Sequence, residues 1–557
     1  MTERAEVGAR VCDSPYSGVP PGPSWTEQTA DRVVSDSFWA RAGRCLRAQL
    51  VAGCLLLGAW LATVRSAQAA QRPNVLIFVV DDMGYGDSKA YNPASKAPMP
   101  NTVRLARAGM MFTDAHTTGA VCAPTRYSIL SGNYPWRGRR PAGTWRFNLG
   151  SQFLAGQKCL AEVMAEGGYH TAMFGKTHLG LWVPPKKAGA EPDTSWDAPW
   201  EAMDFSRPMR GGMHDKGFAY TYLCYGGVQR RPFAFFENDR LDGDPADLKD
   251  WKKGKYGHSV LRVDGFGMPD WDTSKVGPIL TEKALAFIDA HHDANKRSST
   301  KRPFFIHYCS QAVHVPHTPP DYFLDPAVPV RGVAGTRHMD MLHEVDLQLG
   351  ALLDALEQRG LLKDTLVILT SDNGGLRSSR RKKHDSMGGL RGKKGDAWEG
   401  GHRVPFIVRW GDGTAAGSVV APGSRTEQLI GLQDIYATLA ELIERPQGAD
   451  QGLDSASFLN VLRGKQTTPV REQLLVQTTD YIDRVHVPGD TVVREGTWKL
   501  ILEDDGTPLE LYDLAKDLAE KKNLIKVARH AARIKRMKAK HDEIKASTRS
   551  TPAMRRP

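Results

Sequence analysis

Uninterrupted apolar runs recur along the chain and predict the strands of a buried sheet. Residues 75–80 and 366–370 carry neither charge nor proline, and further runs lie at 171–174, 303–308 and 406–410. A strand has this pattern when both faces of its sheet are covered, as in a parallel sheet between two layers of helices. We therefore predict an α/β fold with a mixed, mostly parallel central sheet.

Segments with helical spacing of apolar residues separate these runs. Amphipathic helices are predicted at 101–108, 280–292 and 338–362, so that strands and helices alternate up to about residue 465. We assign residues 71–465 to one large domain. The segment 185–260, rich in Pro, Gly and aromatic residues, predicts inserted loops on the substrate side.

The pattern changes past about residue 465. Short strand-like segments at 474–476, 491–493, 498–502 and 510–512 are separated by turns, and a helix near 526–546 follows. This order predicts a small C-terminal α+β domain with an antiparallel sheet, residues 466–557.

The N-terminal part is different again. Residues 1–40 are polar, have no apolar period and predict a disordered extension. Residues 41–70 place three arginines before a mostly apolar run and end in small residues, which is the layout of a signal peptide. A membrane anchor is the second interpretation, because the apolar run is short for a span. The late start of this leader suggests a start codon downstream of Met1. We expect export to the periplasm or outside the cell.

Composition narrows the class of protein. The chain has 557 residues, 41% of them hydrophobic and 25% charged, as in ordinary globular proteins. Its net charge of +11 comes mostly from residues 526–557, which hold 11 Lys and Arg against two Asp and Glu. We interpret this tail as a solvated basic helix and expect no nucleic-acid partner. Beyond residue 70, only Cys159, Cys224 and Cys309 remain besides Cys122, enough for one disulfide at most, and no pair has zinc spacing.

Oxygen-bearing side chains follow two of the predicted strands. Asp81 and Asp82 come directly after the first run, and Asp372 and Asn373 follow the run at 366–370. If these strands are neighbours, their carboxyl ends bring the four side chains together. An all-oxygen set suits a hard cation such as Ca²⁺ or Mg²⁺ and not zinc.

A short predicted helix begins at Cys122. Pro124 fits its first turn, and Gly132 stops it. Free N–H groups and the helix dipole favour an anion at such an N-terminus, and Arg126 adds a positive charge one turn later. A buried, inert cysteine is the alternative interpretation of this stretch alone.

Basic side chains follow other strands. Lys176 and His178 come after 171–174, either as site residues or in an exposed turn, and His314 and His317 come after 303–308. The basic loop 377–384 is either solvated or a rim contact for a polyanionic substrate.

Several motifs in sequence order resemble those of the type I sulfatases of the alkaline-phosphatase superfamily. They include C-x-P-x-R-x-x-x-L-S-G from Cys122, G-K-x-H-L-G from Gly175, D-N-G-G from Asp372 and G-K-K-G-x-x-x-E-G-G-x-R-V-P from Gly392. The W-K-L and E-L-Y-D-L stretches near the C-terminus are similar to that family's small domain. The resemblance covers most of residues 73–525 and implies an alkaline-phosphatase-like fold for the large domain.

The resemblance implies a sulfuric ester hydrolase that a maturation enzyme activates by oxidising Cys122 to formylglycine. The hydrated aldehyde is then the nucleophile. It also implies one Ca²⁺ held by Asp81, Asp82, Asp372, Asn373 and the formylglycine oxygen at position 122.

Further roles follow from the resemblance. The residues that orient and polarise the formylglycine are Arg126, Lys176 and His178. His314 and Lys394 bind the sulfate and assist the leaving oxygen, and His178 is the base that later releases sulfate. The roles of His314 and Lys394 could instead belong to the nearby residues His317 and Lys393, respectively.

The predicted substrate is a sulfated small molecule or carbohydrate, with the latter favoured by the loops and the exported location. A phosphate or phosphonate monoester hydrolase of the same superfamily is one alternative, against which Asn373 argues. An inactive glycan-binding relative is the other. The expected partners are the substrate, the maturation enzyme and the export machinery, with no stable membrane span.

Overall fold

A computed structural model describes residues 72–551 except 144, 146, 196, 197, 377–383, 446, 483 and 484. The chain divides into Met1–Gln71 and Arg72–Pro557, and the described residues belong to the second unit. The predicted extension, the predicted signal peptide and all of the basic loop except His384 lie outside the described residues.

A ten-stranded mixed sheet forms the centre of the fold. In chain order its strands are β1 (Asn74–Val80), β2 (Met110–Phe112), β3 (His170–Gly175), β4 (Tyr220–Leu223), β5 (Phe236–Glu237), β6 (Arg240–Leu241), β7 (Phe304–Cys309), β8 (Thr365–Ser371), β9 (Phe406–Trp410) and β10 (Ser424–Thr426). Their order across the sheet is β10-β2-β9-β8-β1-β7-β3-β4-β5-β6. The run from β8 to β4 is parallel throughout, and β9 joins it antiparallel to β8.

Helices cover both faces of this sheet. Those that precede the C-terminal sheet in the chain are α1 (Pro100–Arg107), α2 (Cys122–Ser131), α3 (Leu160–Glu166), α4 (Val276–Arg297), α5 (Arg337–Gln358), α6 (Glu399–His402), α7 (Asp434–Leu442) and α8 (Leu459–Leu462). Because side chains alternate along a strand, Ile77 of β1 joins the apolar cluster that contains α2, α3 and α7, while Phe78 joins the one with α1, α4 and α5. This arrangement confirms the predicted α/β fold class.

A separate antiparallel sheet of four strands lies in the C-terminal part. It consists of β11 (Gln473–Ile482), β12 (Val485–Glu495), β13 (Trp498–Leu502) and β14 (Pro508–Asp513), paired in that order. Helix α9 (Ala531–Ala546) buries Met537 and Ile544 against it. The first two strands are longer than predicted, because polar residues such as Gln477, Thr478 and Arg494 continue them beyond their apolar segments. The helix begins five residues later than predicted.

Smaller features complete the described part. Two-stranded pairs form at Ala115–His116 with Ile430–Gly431, Lys249–Trp251 with Gly265–Gly267, Gly254–Tyr256 with Ser259–Leu261, and Tyr322–Phe323 with Asp325–Pro329. The four described cysteines are buried and free, so the described part contains no disulfide. Among the described residues, no helix has both the length and the apolar character needed to cross a membrane.

Candidate active site

The carboxyl ends of four parallel strands meet at one edge of the central sheet. Val80 is level with Ser371, Val79 with Cys309, and Cys309 with Gly175. The residues that follow β1, β8, β7 and β3 therefore emerge side by side, which is the usual place for a site in an α/β sheet. Strands β1 and β8 are neighbours, which is the condition under which Asp81, Asp82, Asp372 and Asn373 come together.

Helix α2 carries the cysteine and the arginine of the first motif. It begins at Cys122 and ends at Gly132, whose φ of 69° is the left-handed conformation that glycine adopts without strain. The Arg126 guanidinium donates through Nε to Asp372 Oδ2 at 2.9 Å and through NH1 to the carbonyl oxygen of Lys176 at 2.8 Å. One buried side chain thus ties α2 to the ends of β8 and β3.

The carboxylates at the sheet edge are paired with cations. Lys176 Nζ lies 2.7 Å from Asp81 Oδ2, and Lys394 Nζ contacts Asp82 Oδ1. The Asn373 amide also donates to Asp82 Oδ1, at 2.8 Å. Burial raises the pKa of Asp81, but the charges of Lys176 and neighbouring cations outweigh it and the net pKa is lowered. Both aspartates are therefore ionised at neutral pH, because the pKa of Asp82 is lowered in the same way by Lys394.

The same cluster leaves buried oxygens without a hydrogen-bond partner among the described residues. They are Asp81 Oδ1, Asp82 Oδ2 and Asn373 Oδ1. Single ligand atoms of Asp81, Cys122 and Asp372 lie within 4.8 Å of one another. An unsatisfied buried acceptor costs about 1–3 kcal/mol, so three in one place are unfavourable unless a cation binds them. These oxygens fit a hard cation such as Ca²⁺.

His178 faces the cysteine. Its Nδ1 lies 3.2 Å from Cys122 Sγ, and its φ of 55° is a left-handed conformation uncommon for a residue other than glycine. Strand β3 already ends at Gly175, so Lys176 and His178 lie beyond the strand, and the exposed-turn interpretation is wrong because both side chains are buried. Burial, together with the charges of Lys176 and Arg126, lowers the pKa of His178 well below its usual value. The imidazole is neutral and can accept a proton.

The Cys122 thiol itself is not activated. Burial raises its pKa, although Lys176 and Lys394 act in the opposite direction. A thiol in this state is a weak nucleophile, because the thiolate is the reactive form.

The structure separates the two pairs of near-duplicate residues. His314 Nε2 lies 3.8 Å from Asp82 Oδ2, whereas the ring of His317 packs against that of His338 at 5.1 Å. Burial, and then the charge of Lys394, lowers the pKa of His314 to about 4.

The lysine pair is separated in the same way. Lys394 contacts Asp82, and Lys393 instead pairs with Asp396 at 3.4 Å. His314 and Lys394 are thus the members that reach the carboxylates.

Two contacts of the site were not predicted. His384, taken from sequence as part of the basic loop, is buried, and its Nε2 lies 2.8 Å from Asp87 Oδ1, so it is not a rim residue. Gln229, from the loop-rich segment, lies against Lys176 and His178. The sequence gives no indication that Gln229 belongs to the site, because a neutral amide in an irregular loop is ordinary. For His384 the sequence does offer a candidate partner, Asp87, which follows the D-D-x-G stretch.

The E-G-G-x-R-V-P segment connects the two sheets. Glu399 of α6 is fully buried and lies 3.1 Å from Lys499 Nζ of β13, which also contacts Glu520 at 2.7 Å. Arg403 pairs with Glu399 at 2.6 Å. This segment therefore joins the large sheet to the small one through buried ion pairs.

Comparisons with known proteins agree with this architecture. A family model described as Sulfatase matches residues 73–444, and one described as N-sulphoglucosamine sulphohydrolase, C-terminal, matches residues 394–547. The chain is 30% identical to an N-acetylgalactosamine-6-O-sulfatase of Bacteroides thetaiotaomicron, over 83% of this chain and 91% of that protein. It is 29% identical to human Arylsulfatase A, over 84% and 86%. A solved B. thetaiotaomicron structure from work on the metabolism of multiple glycosaminoglycans superposes with a TM-score of 0.70 at 28% identity, covering 86% of this chain and all of that one.

Proposed function

The chain belongs to the sulfatase family and is a sulfuric ester hydrolase, and we propose that it acts on sulfated carbohydrate through a formylglycine made from Cys122 and a single Ca²⁺. The proposed ligands of the ion are the formylglycine oxygen and the side chains of Asp81, Asp82, Asp372 and Asn373. Two observations carry this proposal. Buried oxygens of Asp81, Asp82 and Asn373 have no hydrogen-bond partner among the described residues, and ligand atoms of Asp81, Cys122 and Asp372 lie within 4.8 Å of one another.

Cys122 supports a modified nucleophile better than a thiol. Its raised pKa makes the unmodified side chain unreactive, while the N-terminus of α2 offers a favourable dipole for an oxygen anion. A hydrated aldehyde at this position supplies one hydroxyl to attack sulfur and a second to expel sulfate afterwards. Neutral His178, with Nδ1 3.2 Å from the side-chain atom of residue 122, is the group that takes the proton.

The cations around Cys122 are placed to handle the sulfate. Lys394 and His314 both lie close to Asp82, and we assign them to sulfate oxygens and to the leaving oxygen. Arg126 and Lys176 hold the carboxylates and the loop after β3 in place. Fixed charges of this kind stabilise the transition state without reorganising during the reaction.

The proposed substrate class rests on the relatives. The relative with 30% identity is named for a 6-O-sulfated N-acetylgalactosamine, and we extend sulfated carbohydrate, without the particular sugar, to this chain. Export by the predicted signal peptide and oxidation of Cys122 by a maturation enzyme belong to the same proposal.

Mass spectrometry of matured protein tests the nucleophile. The tryptic peptide ending at Arg126 should carry an aldehyde in place of the thiol of Cys122. Cys122→Ala should abolish hydrolysis of 4-nitrophenyl sulfate, while Cys159→Ala, a change at another buried free cysteine, should retain it. An unmodified Cys122 in a host that matures a control sulfatase would refute the proposal and favour an inactive glycan-binding protein.

A substrate panel tests the chemistry and the substrate class. We expect sulfate esters to be turned over faster than the matching phosphate esters, with release of sulfate from sulfated oligosaccharides. Faster phosphate turnover would favour the phosphate or phosphonate monoester hydrolase. Activity on aryl sulfates with none on any sulfated glycan would refute the carbohydrate assignment alone.

A further inference from the structure

Gln229 reaches the proposed catalytic residues from a loop that carries none of the family motifs. It ends a short 3-10 turn, Gly227–Gln229, that follows β4, and its side chain is only 8% exposed. A buried amide needs partners for both its oxygen and its nitrogen.

One orientation of this amide satisfies both atoms. The nitrogen then donates to the carbonyl oxygen of Gly226 at 3.2 Å, and the oxygen accepts from Lys176 Nζ at 3.1 Å. The amide atom that faces Lys176 lies 3.5 Å from His178 Nε2. The oxygen is therefore shared between Lys176 and His178.

The turn around Gln229 is closely packed. Gly227 has a φ of 62°, and a Cβ on it would come within 2.7 Å of the Gln229 amide and 3.0 Å of Lys176 Cδ. A side chain there would displace one or the other. The amide is thus held against Lys176 by the backbone.

The position of this oxygen decides which nitrogen of His178 carries the proton. A neutral imidazole is a donor at one nitrogen and an acceptor at the other, and the partner of one nitrogen sets the role of the other. With the Gln229 oxygen at Nε2, the hydrogen belongs on Nε2, and Nδ1 presents its lone pair to residue 122. Without that oxygen, an Nε2–H group would be buried without an acceptor near the positive charge of Lys176.

We propose that Gln229 is a positioning residue that fixes His178 in the Nε2–H tautomer, so that Nδ1 is the base in sulfate release. This inference rests on the proposed function. In that step His178 Nδ1 accepts the proton of the hydroxyl that remains on residue 122, the carbonyl re-forms, and sulfate leaves with the electron pair of the broken C–O bond. Hydration of the carbonyl and loss of the proton from His178 return the site to its starting state.

Nitrogen-15 NMR of histidine-labelled protein tests the tautomer without any turnover. The signals of His178 are identified by their loss in His178→Gln. In the wild type we expect Nε2 of His178 to be protonated and Nδ1 to be unprotonated. In Gln229→Met the population should shift toward the Nδ1–H tautomer. Gln229→Glu, which keeps an acceptor oxygen, should show the wild-type pattern. The same tautomer in wild type and Gln229→Met would overturn the proposal.

A single-turnover experiment with matured enzyme and 4-nitrophenyl sulfate follows phenol and sulfate separately. In Gln229→Met we expect sulfate release to slow by about 10- to 100-fold, by analogy with the loss of hydrogen-bond partners that orient metal-binding histidines, while 4-nitrophenol release changes little. Gln229→Glu should restore sulfate release. Gln433→Met, the same change at another fully buried glutamine whose amide has no partner in the described part of the chain, should resemble the wild type.

The outcomes separate the two proposals. Equal slowing of both products would mean that the amide acts through folding or through Lys176, which overturns the assignment to His178. Failure of matured wild-type protein to release either product would refute the proposed formylglycine chemistry, whereas the NMR result would still decide the tautomer.

Discussion

Glu344 of α5 is a buried carboxyl group behind the candidate site. Its Oε1 accepts from Gln311 Nε2 at 3.1 Å and from Gln348 Nε2 at 3.0 Å, while its Oε2 has no hydrogen-bond partner among the described residues. Burial raises the pKa of Glu344 to about 8, although the hydrogen bonds from the two amides act in the opposite direction. No cationic side chain contributes to this shift. We predict that Glu344→Gln stabilises the protein at neutral and alkaline pH.

The magnitude follows from linkage between protonation and folding. The folded state keeps the proton of Glu344 up to a pKa of about 8, whereas the unfolded chain loses it near 4.5, the ordinary pKa of a glutamate side chain. The folded state thus binds more protons between these values, and stability falls as pH rises through that window. At about 1.4 kcal/mol per pH unit the loss reaches about 3 kcal/mol at pH 7, as an upper limit. An amide at this position remains neutral and escapes the loss.

Thermal unfolding between pH 4.5 and 8.5 measures the effect. We expect the melting temperatures of Glu344→Gln and wild type to agree near pH 4.5 and to separate in favour of the variant as pH rises. Glu357→Gln, at an exposed position of the same helix, should follow the wild type. A constant difference across the pH range, or a variant that is less stable at pH 8, would refute the assignment of a protonated Glu344.

Further predictions concern the site itself. Lys394→Met should lower kcat/KM for 4-nitrophenyl sulfate by about 100-fold or more, because it removes a fixed charge from the sulfate; Lys393→Met, whose lysine pairs with Asp396, should stay within about threefold of wild type. His314→Ala should lower kcat by about 100-fold, and His317→Gln should have little effect on kcat; the reverse order in steady-state assays would exchange the two assignments. Treatment with EGTA should lower both activity and melting temperature, and Ca²⁺ at 100 times its Kd should restore about 2.7 kcal/mol of stability in unfolding assays; an unchanged melting temperature would contradict the proposed ion.

Much of the fold could be predicted because its signals are local. Strands β1 and β8 are continuous apolar runs, and their boundaries differ from the prediction by one residue at most at each end. The polar residues that follow these two strands lie at the same level of the sheet, because Val80 is in register with Ser371. The lengths of β11 and β12 could not be predicted from apolar content, because polar residues, several of them buried, continue both strands beyond their apolar segments.

The site could be predicted only where a residue type is unusual for its context. Two aspartates at the end of a buried strand are costly without a cation, so Asp81 and Asp82 stand out in the sequence. Gln229 does not, because an amide in a loop is ordinary, and only the fold brings it to His178. The choice between His314 and His317 likewise depended on which side chain turns toward Asp82.

The charges of the site couple the proposed ion to sulfate binding. As described, Lys176 and Lys394 are paired with Asp81 and Asp82, and Arg126 with Asp372, so that three cations balance three carboxylates. If the carboxylate oxygens bind a divalent cation instead, Lys394, which is the more exposed of the two lysines, is released from its pair and can turn to a sulfate oxygen. The site then carries two excess positive charges, which match a departing sulfate dianion. Loss of the ion should therefore weaken sulfate binding even in Cys122→Ala, a result that isothermal titration with inorganic sulfate can measure.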